Sequence, residues 1–170
     1  RRKLTFSTWV KRCSLPGDQL LFAGWTGGSY WCYIGFDGDG YIRIRQYAGG
    51  SNPFYLKTNR KFRDLSAWYH IVMGVDTTLG TSTDRIKLYV NGVRETSFSQ
   101  TTYPSQNFDT YWGMTAGGDG YPSYIGGDGA TASFLDGYMA DTYGVGNQQY
   151  DASVFGSTDS TTGEWKPITE

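Results

Sequence analysis

The acids and bases of this 170-residue chain limit its chemistry. The only glutamates are Glu95, Glu164 and Glu170, and the only histidine is His70. Glycoside hydrolysis needs two carboxyl groups flanking the scissile bond. Glu95 follows an Asn-Gly turn and the other two lie in the C-terminal tail, so no pair shares a strand. His70 sits inside a strand-like run with no Gly-x-Ser-x-Gly elbow nearby. A Ser-His-Asp relay needs an activated serine on one side of the imidazole and an orienting carboxylate on the other. A histidine hydrogen-bonded at a sheet surface is the expectation instead. The Gly-Gly-Asp-Gly runs at Gly117 to Gly120 and Gly126 to Gly129 precede no helix, so they do not read as phosphate loops. The inventory points away from an enzyme.

Two binding chemistries remain. Asp37-Gly38-Asp39-Gly40 has the oxygen-rich character of a calcium loop, with Asp37 and Asp39 as candidate ligands, although it lacks the spacing and terminal Glu of an EF-hand. Asp-Gly is equally the chemistry of a plain hairpin turn, and Asp119 and Asp128 carry the same double reading. Sugars stack on exposed aromatic rings while Asp, Asn and Arg bond their hydroxyls. Three loop-rich regions offer such sets: Trp25 with Tyr30 and Trp31; Tyr111 with Trp112; and Tyr121 with Tyr124 beside Asp119 and Asp128. The candidate ligand-binding residues are therefore Trp25, Tyr30, Trp31, Trp112, Asp119, Tyr121, Tyr124 and Asp128. The Gly117 to Gly129 stretch is favoured, because its aromatics are flanked by turns rather than by strand alternation. Trp9, Trp68 and Trp165 are assigned to packing, since aromatics also stabilise cross-strand pairs.

The elements that must position these residues are strands. Trp68 to Val75 is rich in β-branched and aromatic residues. Arg85 to Val90 and Val93 to Phe98 flank Asn91-Gly92, which suits the two positive-φ positions of a type I′ hairpin. Upstream, Leu4 to Lys11, Gln19 to Trp25, Tyr30 to Phe36, Tyr41 to Tyr47 and Phe54 to Thr58 read as strands. Turns fall at Leu15 to Asp18, Thr26 to Ser29 and Asp37 to Gly40. Downstream, Ser123 to Ile125, Ser133 to Asp136 and Tyr138 to Val145 close the fold. One helical turn is expected at Asp151 to Phe155, then an extended tail. Leu4 to Lys11 carries large residues on both faces, as a central or curved strand would. Yet the cluster Arg1, Arg2, Lys3, Lys11 and Arg12 reads as the charge protection of an edge.

The ordered set FSTWVKR, FRDLSAWYHIV, the "YVNG" hairpin, YPSQNFDTYW, FLDGYMAD and FGSTDSTTGEWKP resembles laminin-G-like domains of the concanavalin A-like jelly-roll superfamily. It is similar to those found in tail and other structural proteins of marine bacteriophages. The resemblance spans nearly the whole chain and implies an all-β, two-sheet antiparallel sandwich. It also implies a non-catalytic carbohydrate-binding or adhesion module for host or cell-surface glycans, acting outside the cell or at a virion surface. The alternative it offers is a decoration domain that contacts other virion proteins. Laminin-G-like domains often bind one calcium at the sandwich rim, so Ca²⁺ is an expected cofactor. The Glu-x-Asp-x-x-Glu-like strand motif of the hydrolases on this fold is absent.

Composition agrees with this class. There are 24 glycines, 14 tyrosines and 6 tryptophans, which suits a turn-rich β protein. Fifteen Lys and Arg oppose sixteen Asp and Glu, for a net charge of −1, so no field favours nucleic acid or an anionic membrane. No apolar run approaches a membrane span and no signal peptide is evident. The chain starts on charged residues without Met, as a segment of a longer polypeptide would. Cys13 and Cys32 would pair only if their strands were neighbours, and two free thiols are equally compatible with the sequence.

Overall fold

A computed structural model describes residues 1–25, 28–113, 122–129 and 132–168. Its strands are β1 (Lys3–Arg12), β2 (Gln19–Trp25), β3 (Tyr30–Phe36), β4 (Tyr41–Ala48), β5 (Ser51–Lys61), β6 (Tyr69–Asp76), β7 (Ile86–Val90), β8 (Val93–Glu95), β9 (Phe98–Thr102), β10 (Ser123–Ile125), β11 (Gly137–Gly146), β12 (Gly156–Thr158) and β13 (Trp165–Pro167). One antiparallel sheet has the order β11-β1-β6-β7-β8 and the other β10-β2-β3-β4-β5-β9, while β12 and β13 form a small separate ribbon. The two large sheets pack over one core as an antiparallel β-sandwich, the architecture that the sequence predicts.

Period-two alternation builds the core. Phe6 and Val10 of β1, Ile71, Met73 and Val75 of β6, and Ile86, Leu88 and Val90 of β7 turn inward from the five-stranded sheet. Ile34 and Phe36, Ile42 and Ile44, and Phe54 and Leu56 meet them from β3, β4 and β5. Each buried side chain of this size stabilises the fold by about 1.5–3 kcal/mol.

The Asn91-Gly92 hairpin forms as expected, with φ of 49° and 79° at its two central residues. A 3₁₀ turn at Ala152–Val154 is capped by the Asp151 carboxylate, which accepts the Ser153 N–H. Other expectations need correction. Val93 to Phe98 is not one strand: the chain leaves the five-stranded sheet after Glu95, and Phe98–Thr102 pairs with β5 in the other sheet. Ser133 to Asp136 forms no strand, and the tail carries the β12–β13 ribbon. The basic cluster does not guard an edge, because β1 lies between β11 and β6. Arg12 is buried, with its guanidinium 4.6 Å over the Phe36 ring and bonded to Gln19 Oε1 and the Phe62 and Leu15 carbonyls. Among the described residues, no helix is long and apolar enough to cross a membrane.

Candidate functional site

The outward residues of β3, β4 and β5 form an aromatic and cationic face. The alternation that sends Ile34, Ile42, Ile44 and Leu56 inward sends Trp31, Arg43, Arg45, Tyr47, Tyr55 and Lys57 outward. Trp31 stacks on Tyr33 at 5.4 Å and on Tyr47 at 5.1 Å. The Arg45 guanidinium lies 5.1 Å from the Trp31 ring and 5.0 Å from Tyr55, and its Nε donates to Asn52 Oδ1 at 2.7 Å. Such cation–π contacts hold a charged head flat against the sheet. Arg43 sits 5.6 Å from the Tyr33 ring and is ion-paired to Asp18.

At the β2–β3 side of this face a cavity of about 210 Å³ opens, lined among others by Trp25, Trp31, Tyr33, Asp18 and Asp128. Trp25 and Trp31 are directly opposite in the β2–β3 ladder, so both rings rise from the same face. Asp128 arrives from the turn after β10. Two indole planes beside two carboxylates match the needs of a sugar: a surface for its C–H face and acceptors for its hydroxyls.

The other candidates are dispersed. Tyr30, 47% exposed, precedes Trp31 by one residue and therefore sits on the opposite side of the strand. It meets Tyr111 edge-on at 6.3 Å. Trp112 is a correction: it is fully buried and packs on Phe54 at 5.4 Å, so no sugar reaches it. The reason is the path of its segment. Thr110 donates to the Arg1 carbonyl and the Tyr111 N–H to Gln46 Oε1, drawing the next indole between the sheets. The Tyr124 ring lies against Gly129 and leaves no room for a side chain there, and the φ of +73° at Gly129 is one that glycine adopts without strain. Asp119 and Tyr121 lie outside the described residues.

Asp37 does not fit a calcium site, and it leaves exposed Asp39 without a second carboxylate ligand in this turn. Asp37 Oδ1 accepts the Asp39 and Tyr41 N–H groups at 3.1 and 3.0 Å, and its Oδ2 faces Lys57 Nζ at 2.9 Å. Burial opposes the charge of Asp37, but Lys57 and the Tyr41 N–H outweigh it and hold the carboxyl below the usual carboxylate range. A cation there would meet an ammonium and N–H groups in place of oxygens. Among the described residues no cluster of three or more His, Cys, Asp and Glu side chains is arranged to hold a metal.

His70 is buried beneath Trp9 and Trp165, stacking on Trp9 at 4.9 Å. Trp165 Nε1 donates to His70 Nδ1 at 2.8 Å, and His70 Nε2 lies 2.9 Å from Ser7 Oγ. An indole N–H only donates, so the imidazole proton sits on Nε2 and is given to the serine. That is the reverse of what a nucleophilic serine requires. Burial lowers the His70 pKa to about 4. Cys13 is exposed and Cys32 buried, and they are not bonded to each other. Sequence reasoning missed Arg45, Tyr47 and Tyr55 as parts of the site. Their signal was the outward half of the β4 and β5 alternation, which becomes a surface only when those strands pair.

These features define a concanavalin A-like β-sandwich with an open aromatic face. The chain belongs to the concanavalin A-like lectin/glucanases superfamily, whose laminin-G family model matches residues 1–143. Comparison with curated proteins gives no match. Among solved structures, the chain is similar to the CBM40 of Ruminococcus gnavus IT-sialidase bound to α2,6 sialyllactose. That match has a TM-score of 0.65 at 13% identity and covers 90% of this chain and 80% of that one. It is also similar to domain 4 of AbnA, a GH43 extracellular arabinanase from Geobacillus stearothermophilus, in complex with arabinotriose (TM-score 0.55, 18% identity, 85% and 60% covered). A heptameric SAP-like pentraxin from Limulus polyphemus follows at TM-score 0.53 and 17% identity, with 84% and 63% covered. The chain thus spans less than two-thirds of the arabinanase domain and of the pentraxin. At these identities the likeness is one of fold.

Proposed function

We propose that this domain is a non-catalytic carbohydrate-binding module whose sugar site is the Trp25–Trp31 cavity and the adjoining face of the six-stranded sheet. The observation that carries the reading is the convergence of Trp25, Trp31 and Asp128, from three separate segments, on one open cavity. Sugar-bound relatives of the same fold, the sialidase CBM40 and the arabinanase domain, support it. The non-catalytic part rests on Asp18. A glycosidase needs two carboxyl groups available to the scissile bond, whereas Asp18 is partly exposed and engaged in an ion pair with Arg43.

The test is an array of neutral, uronic-acid-containing and sialylated oligosaccharides, followed by titration calorimetry on any hit. Saturable binding that falls about tenfold or more in Trp31→Ala is expected, the scale of losing one stacked ring. Binding unchanged by that substitution would sink the assignment. The finer setting, host or cell-surface glycan recognition by a bacteriophage structural protein at the virion surface, draws on the resemblance in the sequence motifs. Mass spectrometry of purified particles tests it. The second reading, a decoration domain contacting other virion proteins, is favoured by edge strand β11 with exposed Tyr138 and Tyr143. It predicts no glycan signal and co-purification with a particle protein.

A further inference from the structure

The outer face of the five-stranded sheet holds half of the chain's tryptophans. Trp9 of β1, Trp68 just before β6 and Trp165 of β13 line a shallow groove of about 300 Å³ with Ala140, Asp141 and Pro167. Trp165 does the packing expected of it: it bonds to His70, and its ring covers Gly92 and Gly156. Trp68 does not, because it is 40% exposed.

Asp141 separates this groove from ordinary packing. The β1–β11 register slips between Ser7 and Trp9, and within that bulge Asp141 takes a φ of 46°. Glycine would adopt this φ without strain, and the same strand uses glycine at Gly137, Gly144 and Gly146. Bulges commonly re-aim a side chain beside a functional site. Here the bulge holds an exposed carboxylate at the groove, with no hydrogen bond or ion pair to any described residue. Trp165 and Pro167, which form one wall of the groove, lie beyond residues 1–143 that the family model matches.

The lining selects the ligand. It contains no Lys or Arg, and Asp141 repels anions. Trp9 and Trp165 lie only 20° and 24° from the plane of the His70 ring, so they do not converge as a box around a cation. A flat, uncharged molecule with a C–H face for Trp68 and hydroxyls for Asp141 fits, and the volume suits about one or two sugar rings. We propose that this groove is a second carbohydrate subsite, specific for neutral glycans, on the sheet opposite the first and independent of it.

The test follows the six indole N–H signals of the intact domain by NMR. The probes are cellohexaose, mannohexaose, arabinohexaose and choline chloride, each at millimolar concentration. The expected result is saturable movement of the Trp9, Trp68 and Trp165 signals with at least one oligosaccharide, unchanged in Trp31→Ala and abolished in Trp68→Ala. Asp141→Asn should weaken that binding about tenfold, as loss of a charged hydrogen bond does. Asp141→Gly should weaken it as much while leaving the melting temperature equal or higher, which separates recognition from folding. Silence across all three oligosaccharides, movement with choline alone, or loss of the response in Trp31→Ala would each overturn the proposal. Failure of the first site leaves this outcome readable, because Trp31→Ala already removes that site.

Discussion

Single residues in this domain take their behaviour from burial. Cys32 is enclosed between the sheets, and burial pushes its thiol well above the usual range, whereas Cys13 is exposed. A thiolate-seeking reagent should therefore label one cysteine per native chain and two after unfolding; two in the native state would contradict the packing of Cys32. His70 gives a pH signature. Its folded pKa, about 4, lies below the ordinary 6.5. As pH falls through 6.5 the unfolded chain takes up a proton that the folded chain refuses, so stability is complete above that value. It declines as pH drops towards about 4 and is flat, for this group, below. The loss is about 3 kcal/mol. Urea denaturation at about pH 7 and about pH 4 measures it, and His70→Gln should remove most of the slope in that window.

At the scale of elements, the β3–β4 hairpin and the tail ribbon depend on contacts from elsewhere. Asp37 closes the hairpin through the Asp39 and Tyr41 N–H groups and ties it to Lys57 of β5. Asp37→Asn should cost about 1–3 kcal/mol, by an equal amount with calcium and with chelator, as thermal unfolding would show. A loss that appeared only with calcium would restore the loop as a metal site. The β12–β13 ribbon is fastened by Trp165 against His70 and Gly92. Trp165→Ala should raise amide exchange across Gly156–Thr158 and Trp165–Pro167 while leaving β3 and β4 protected.

For the whole molecule, the core between two sheets separates residues that hold the fold from residues free to bind. Trp112 belongs to the first group, fully buried beside Phe54. Trp112→Ala should lower the unfolding free energy by about 3–5 kcal/mol, measured by urea denaturation. At temperatures where the variant stays folded, glycan affinity should be unchanged. Two sugar sites on opposite sheets would also allow one domain to bridge two glycan chains, a gain in avidity without any new contact.

The strands were legible in the sequence because side-chain alternation and turn chemistry are local. Gln19–Trp25 and Tyr30–Phe36 have the bounds that alternation predicts, and Asn91-Gly92 makes the turn its two residues favour. The ordered motifs carried the superfamily as well. Which strands pair was not written locally. The crossing of the chain between Glu95 and Phe98 follows from how two sheets close over one core, whereas the interior place of β1 was signalled by large residues on both of its faces. That closure decided which aromatics reach the surface. The sequence puts Trp112 in a ligand site and Trp68 in packing, yet Trp112 lies between the sheets and Trp68 on their outside. Asp37 reads as a calcium ligand until β5 brings Lys57 against it. Trp25 and Trp31 read as one aromatic set, but Asp128 joins them only when β10 docks on β2. Alternation within a strand says which residues share a face; only the neighbouring strands and the opposing sheet determine whether that face meets water.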